Sequence, residues 1–441
     1  MAMTGMQIYK NLPKTNCKDC GLPTCMAFAM QVAAKQRALT DCPHITEAAK
    51  AAMSEASAPP MRLIKIGPEG SSFEVGQETV LFRHEEKFHR PAGIAVRVPA
   101  ALSDAEAATR LEAIGKQSFL RVGKTLKVAL AAVELEGAGA AARAKLAAEK
   151  SPVPLVLVGK PEALKAGAEA LKGQRPLLYK ADAASVEALA AVAVAAKCPL
   201  AVGAGSLEEL ADLTSKAKEK GAEDLVLAFN GNAAEMVRSL TVARRAGLRK
   251  GFRPFGYPAI VEVGGPSPEL EGLLAASFAA KYAGIVIVNG LEPWELLPIL
   301  VTVQDVYTDP QVPNAVEAKL YELGSPNENS PVMFTTNFSL TYFSVAGEVE
   351  RSKVPAYICV VDTEGLGVLN SYAGDKISAE KVVKTIQAQK VAEKVKHRRL
   401  IIPGLLPIFR AEIEDTSEWK EVIIGPENAR EIPAFLQKMA K

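Results

Sequence analysis

The chain runs to 441 residues, of which 49% are hydrophobic, with a formal net charge of +2. That length supports two or three domains with sizeable cores, and the near-neutral balance argues against a general nucleic-acid or membrane-surface role. Residues 1–14 lack an apolar signal core, and no apolar run approaches the roughly eighteen residues of a membrane span, so a cytoplasmic protein is expected.

The first chemistry in the chain is cysteine. Cys17, Cys20, Cys25 and Cys42 fall in the pattern C-x2-C-x4-C-x16-C, closed by Pro43. Thiolates are soft ligands, and four on one small module suit an iron–sulfur cluster or a structural zinc. Structural zinc takes two close pairs. Here the second pair, Cys25 and Cys42, is far apart, so the spacing favours a [4Fe–4S] cluster over zinc, and over disulfides. Gly21 permits a tight fold around the metal, and Thr24 can cap a helix over 25–39. A second helix is expected over 45–54, with a linker at 55–60. The cluster domain is therefore drawn at 1–57, with ligation supplying much of its folding energy. Cys198 and Cys359 lie in apolar runs and read as buried core thiols. The basic run at 394–399 reads as a solvated helix end.

From 58 to 310 the rhythm changes. Apolar runs at 93–98, 127–132, 154–158, 176–180, 199–203, 224–228, 259–263 and 284–288 alternate with Ala-, Leu-, Glu- and Lys-rich stretches. Strands so uniformly apolar are covered on both faces, and eight such units predict a (β/α)8 TIM barrel. The run at 78–83 sits too close to the next strand for a crossover and is assigned to a hairpin closing the barrel bottom. The strand ends expose Glu134, Lys160, Asp182, Gly203, Gly205, Asn230, Asn232, Gly264, Gly265, Asn289 and Gly290. That rim has no histidine and few ionisable pairs, so no acid–base site is evident. Asp182, Asn230 and Asn232 suit a polar ligand such as a pterin, but turn-forming and helix-capping is the favoured reading. The glycines at 137 and 139 imitate a dinucleotide fingerprint, but Gly159 and Lys160 stand where its acidic partner belongs.

A looser segment, 308–330, precedes a third domain at 325–441. Strands at 332–336, 355–361, 399–402 and 421–424, with helices at 338–350, 366–374, 379–396 and 427–440, predict a doubly wound, Rossmann-like sheet. Ligands of such sheets sit beyond the strand C-termini. Those termini hold Thr336, Asn337, Leu340 and Thr341; Gly365, Leu366, Gly367, Val368 and Leu369; Pro403, Gly404 and Leu405; and Gly425 and Pro426. Glycines there let backbone approach a broad ligand, with hydroxyl and amide groups for its periphery. The only nearby charges, Asp362 and Glu364, form no nucleophile–base pair. Hinges are expected at 55–62 and 308–331.

The order of a C-x2-C-G-x3-C…C-P module, a barrel and a small glycine-rimmed sheet resembles the large (gamma) subunits of corrinoid iron–sulfur proteins of the acetyl-CoA (Wood–Ljungdahl) pathway. The resemblance covers essentially the whole chain. It implies a [4Fe–4S] cluster on Cys17, Cys20, Cys25 and Cys42, and a cobalamin-type corrinoid on the C-terminal domain. It also implies a heterodimer with a small subunit covering the corrin's other face. In that family the cobalt accepts a methyl group from methyltetrahydrofolate through a methyltransferase and passes it to acetyl-CoA synthase, fed by a low-potential electron donor. The resemblance thus implies a methyl-carrier subunit taking part in corrinoid-dependent methyl transfer for carbon fixation.

The histidines bear on this. His44, His84, His89 and His397 are the only four, and none stands in the Asp-x-His-x-x-Gly motif that puts imidazole under cobalt in many methyl carriers. A corrinoid here would lack a protein axial donor and be easier to reduce, within reach of clusters whose potentials extend to about −700 mV. Two other classes compete: a barrel methyltransferase binding methyl-pterin directly, and a plain iron–sulfur electron-transfer protein.

Overall fold

The computed structural model describes residues 5–33, 37, 41–46, 59–229, 231–264 and 267–440. Positions 34–36, 38, 39 and 47–54 of the two expected module helices, linker positions 55–58, Asn230 and Gly265 lie outside them. Among the described residues, no helix is long and apolar enough to cross a membrane.

The chain forms two compact units, one of 1–117 with 127–307 and the other of 118–126 with 308–441. In the first, β1 (Leu63–Ile66) and β2 (Phe73–Gly76) form an antiparallel hairpin. β3 (Gly93–Val98) begins the barrel. β4 (Ser118–Arg121) and β5 (Lys124–Lys127) form a separate hairpin sheet before the barrel resumes. The remaining barrel strands are β6 (Leu130–Leu135), β7 (Leu155–Gly159), β8 (Leu177–Ala181), β9 (Leu200–Ala204), β10 (Leu225–Phe229), β11 (Ala259–Glu262) and β12 (Ala283–Val288). The eight close in the order β3-β6-β7-β8-β9-β10-β11-β12, parallel throughout. The run expected at 127–132 thus splits: Lys127 ends the β5 hairpin and the barrel strand starts at Leu130.

Alternate strand residues fill the barrel. Ala95, Leu130, Ala132, Val156, Leu177, Ala201, Val226, Ile260 and Ile285 share one core with Ile64, Ile66 and Val75 of the β1–β2 hairpin. The plug at the barrel bottom is therefore 63–76, not 78–83, which runs without regular structure. The physical reason lies in the turns: Gly67 and Gly70 have φ of +100° and +90°, which lets the first hairpin close where 78–83 has no glycine. Glu78 is instead buried, accepting from the His89 and Arg90 amides at 2.9 and 2.7 Å and pairing with Arg244.

The second unit holds a five-stranded sheet. Its strands are β13 (Leu320–Leu323), β14 (Val332–Thr336), β15 (Ala356–Val361), β16 (Arg399–Ile402) and β17 (Glu421–Ile424), in the order β13-β15-β14-β16-β17. β13 pairs antiparallel with β15; the other pairs are parallel. The segment expected to be loose, 308–330, thus contributes an edge strand. Lys319 and Glu322 keep that short edge charged, as exposed edges require. Successive residues of β14 face opposite cores: Val332 and Phe334 pack with Val382, Ile386 and Trp419, whereas Met333 packs with Tyr342, Val349 and Leu436. The expected helix at 379–396 stops at Ala388 and gives way to a single 3-10 turn at Val391–Glu393.

Candidate cofactor sites

In the cysteine module the helices Gly5–Lys10 and Cys25–Ala33 bury Ile8, Leu12, Phe28 and Ala29 with Cys25, Cys42 and Ile45, and Cys20 packs at the edge. Thr24 caps the second helix through Ala27 N at 3.1 Å. Around the first pair of cysteines the backbone is forced into the left-handed region at Lys14, Asn16, Lys18 and Gly21, and Gly21 N closes a turn on Lys18 O at 2.8 Å. Asn16 Oδ1 accepts from Cys25 N at 2.8 Å, and Asp19 Oδ2 meets His44 Nε2 at 2.5 Å. The Asp19 carboxyl is held below its ordinary range, first by the His44 hydrogen bond and then by one from the Cys17 thiol. Ligand atoms of Cys17, Asp19 and His44 lie within 4.8 Å of one another, so the first knuckle and the segment after Cys42 are neighbours. None of the four thiols is in a disulfide. Cys20, Cys25 and Cys42 sit in or at the edge of this small apolar core, and with the exposed Cys17 they make a soft donor set of the kind that fits an iron–sulfur cluster.

The second site lies at the C-terminal end of the five-stranded sheet, where β14 has β15 on one side and β16 on the other. This is the switch point at which doubly wound sheets bind ligands. A cavity of about 340 Å³ opens there, lined by Leu340, Thr341, Val368, Pro403, Leu405, Gly425 and Pro426 from the expected set, and also by Met333, Thr335, Ile401 and Phe435. Leu340 of this lining, and Leu369 and Ile408, which follow the lining residues Val368 and Leu405 in sequence, are 54%, 55% and 65% exposed. Large aliphatic side chains so open at one end of a sheet make an apolar platform. Ile408 and Phe435 escaped sequence reasoning; the exposed apolar residue just after Pro407 was the available signal.

Other expected rim residues do different work. Asn337 is buried, and its Oδ1 accepts from Thr363 N, Thr363 Oγ1 and Gly365 N at 2.9, 2.9 and 3.0 Å while its Nδ2 donates to Asp362 at 2.9 Å. Its amide therefore fastens the 362–365 loop. Gly404 and Gly425 serve chain packing: a Cβ on Gly404 would lie 2.5 Å from Gly425 O, and one on Gly425 would lie 3.0 Å from Ile402 O. Gly365, with φ of +77°, turns the loop beside Pro313. Gly367 is different, because its Cβ would meet only Phe338 and Thr341 at 3.5 and 3.6 Å. Leu366 is half-buried beside it. Thr336 is fully buried and its Oγ1 has no partner, an orphan hydroxyl at the switch strand's end. His397 is at the other end of β16, with Nε2 on Ser330 O at 2.9 Å and Nδ1 accepting from Arg399 N at 3.2 Å. Of the nearby acids, Asp362 accepts from Asn337 and Glu364 N, and Glu364 pairs with Lys376 at 2.8 Å.

The barrel mouth is more polar than its sequence suggests. Arg97 of β3 bridges Glu134 of β6 and Glu262 of β11, and Tyr179 of β8 donates to Glu262 at 3.1 Å. Burial, then the Glu262 charge, pushes the Tyr179 hydroxyl well above its usual range, and burial lowers Lys180. Glu134, Tyr179, Lys180 and Glu262 line a cavity of about 710 Å³ with Lys160 and Asp182. The expectation of few ionisable pairs fails because four strands each contribute one or two polar residues. The capping reading holds for Asp182, which accepts from Ala184 N and Ser185 N, and for Asn232, which accepts from Glu235 N. Arg97→Met should leave the two carboxylates facing each other and destabilise the barrel by about 1–3 kcal/mol. That is below the cost for a fully buried pair, since Glu262 keeps 39% of its side chain in solvent. Urea unfolding of both proteins measures this.

Comparison with known proteins places the chain. A family model described as "CO dehydrogenase/acetyl-CoA synthase delta subunit" matches residues 63–436, and one described as "Putative Fe-S cluster" matches residues 12–44. A "Corrinoid/iron-sulfur protein large subunit" of Moorella thermoacetica is 42% identical over 99% of this chain and 98% of its own. An "Acetyl-CoA decarbonylase/synthase complex subunit gamma" of Methanothermobacter thermautotrophicus is 35% identical over 100% of both chains. That of Methanopyrus kandleri is 35% identical over 99% of this chain and 98% of its own. With module, barrel and sheet all inside these matches, the chain belongs to the family of corrinoid/iron-sulfur protein large subunits and acetyl-CoA decarbonylase/synthase gamma subunits.

Proposed function

We propose that this chain is a corrinoid-bearing methyl carrier of the acetyl-CoA pathway. The observation that carries the reading is the pairing of a four-thiol module with an apolar, histidine-free sheet rim in one chain of this family. When bound, the corrinoid supplies a cobalt that takes and releases a methyl group, and a [4Fe–4S] cluster supplies the electron that restores its nucleophilic state.

The chain's own residues do the rest. Leu340, Leu369 and Ile408 offer apolar area to a wide ring, and Thr341 in the cavity lining offers a hydroxyl to a ligand fringed with amides. Asn337 holds the 362–365 loop in place for Leu366 and Gly367 to border the ring. The one histidine of this unit, His397, is bonded at the far end of β16, so the unit's own residues would offer the metal no imidazole. Cys17, Cys20, Cys25 and Cys42 hold the cluster. The partners in this reading are a small subunit over the ring's open face, a methyltetrahydrofolate:corrinoid methyltransferase, acetyl-CoA synthase and a low-potential electron donor, in the cytoplasm. Of the domains expected from the sequence, 1–57 serves the cluster and 58–310 the barrel, while the corrinoid domain drawn at 325–441 is extended back to 308 and takes in 118–126.

The deciding experiment is the absorption spectrum and metal content of the anaerobically purified complex. About one cobalt and about four irons per heterodimer are expected. Iron without cobalt would leave a plain electron-transfer protein, and direct binding of methyltetrahydrofolate by this chain alone would favour a barrel methyltransferase.

A further inference from the structure

We infer that Asp19 and His44 are positioning residues that latch the first cysteine knuckle to the segment carrying the last cysteine. The inference rests on the assignment of a cluster to the four cysteines. Asp19 stands between Cys17 and Cys20, and His44 follows Cys42 by two positions. Their side chains meet at 2.5 Å across 25 residues of sequence. On the other side of the same loop Asn16 Oδ1 accepts from Cys25 N at 2.8 Å. The 16–20 loop is thus tied by side chains to both other ligand-bearing segments, one tie to Cys25 and one to the chain just past Cys42.

The module needs such ties. Its core consists of a few side chains, Ile8, Leu12, Phe28, Ala29 and Ile45 with two of the cysteines, and it anchors Cys25 and Cys42 but not Cys17, which is exposed. Lys14, Asn16 and Lys18 all hold left-handed backbone, which side chains other than glycine adopt at a cost. A loop in that conformation with an exposed ligand relaxes unless something outside it fixes its shape. A carboxylate–imidazole hydrogen bond between the two ligand segments does so. It restricts where Cys17 and Cys20 can move relative to Cys42. Residues that orient metal ligands commonly change metal retention by ten- to a hundredfold when lost.

The test is made on the anaerobically purified complex. His44→Ala and Asp19→Ala should each speed iron loss to a ferrous chelator by about tenfold. The double variant should lose iron no faster than either single one, because both remove the same tie. Freshly loaded variants should keep the iron and sulfide content of the wild type, with a shifted reduced-cluster magnetic resonance spectrum. His44→Gln, whose amide can still donate to Asp19, should restore slow iron loss; a purely steric role for the ring would not be rescued in this way. Wild-type iron loss in all variants would overturn the latch. So would complete absence of cluster in His44→Ala, as expected for Cys42→Ala, because His44 would then be a ligand. Wild-type protein lacking iron and sulfide would instead overturn the cluster assignment itself.

Discussion

Replacing Cys20 with alanine is expected to remove the [4Fe–4S] cluster, or convert it to a three-iron form, while the barrel stays folded. Iron should fall from about four per chain to three or fewer, with loss of the native reduced-cluster resonance. The separation follows from packing. The module's buried side chains, Ile8, Leu12, Phe28 and Ile45, form a cluster of their own, and the barrel core is built from Ile64, Ile66, Val156, Ile260, Ile285 and their neighbours. Ligation supplies much of the module's folding energy, so its helices should loosen when a ligand is lost. Far-UV circular dichroism dominated by the barrel and sheet should change little. Iron content and resonance that survive the substitution would show that Cys20 is not a ligand.

The rim offers a second large effect, in which two glycines should behave oppositely. Gly367→Leu should weaken corrinoid retention severely while leaving stability near that of the wild type. A Cβ there meets only ordinary contacts, and the backbone φ of −70° suits any residue. The added side chain would project into the space assigned to the ring. Gly404→Ala should do the reverse, because its Cβ would lie 2.5 Å from Gly425 O and 2.7 Å from Glu427 N, both backbone atoms that cannot swing aside. A cost of about 1–3 kcal/mol is expected, as for other overpacked sites. Corrinoid release on gel filtration, set beside thermal unfolding of each variant, separates the two outcomes. Gly367→Leu protein that keeps its full complement of cobalt would remove this edge of the rim from the binding site.

What the sequence made legible follows its signal strength. Cysteine spacing and uniformly apolar strands are local patterns, so the module, the eight-stranded barrel and four strands of the small sheet could be read directly. The barrel-mouth network could not, since Arg97, Glu134, Tyr179 and Glu262 are single polar residues in otherwise apolar strands, and only barrel closure brings them together. The β4–β5 hairpin was hidden for a local reason. Its turn places Val122 and Gly123 at φ of 49° and 71°, and valine in that position lacks the Asn-Gly signature by which such turns are recognised. The rim glycines fall at strand ends, and Gly404 and Gly425 have a packing role there that strand position does not reveal: their missing Cβ atoms make room for neighbouring backbone.

That hairpin bears on how the protein can be divided. The unit containing the small sheet is made from two separate stretches of chain, 118–126 and 308–441. Gly123 approaches the Phe343 ring so closely that a Cβ there would lie 3.0 Å from it. A gene fragment beginning at 308 would encode the whole sheet and still omit the piece that covers Phe343, leaving an aromatic face open to self-association. Domain exchange between relatives faces the same constraint. The two stretches must travel together, so a recombination point after 307 alone would join a hairpin from one parent to a helix surface from the other.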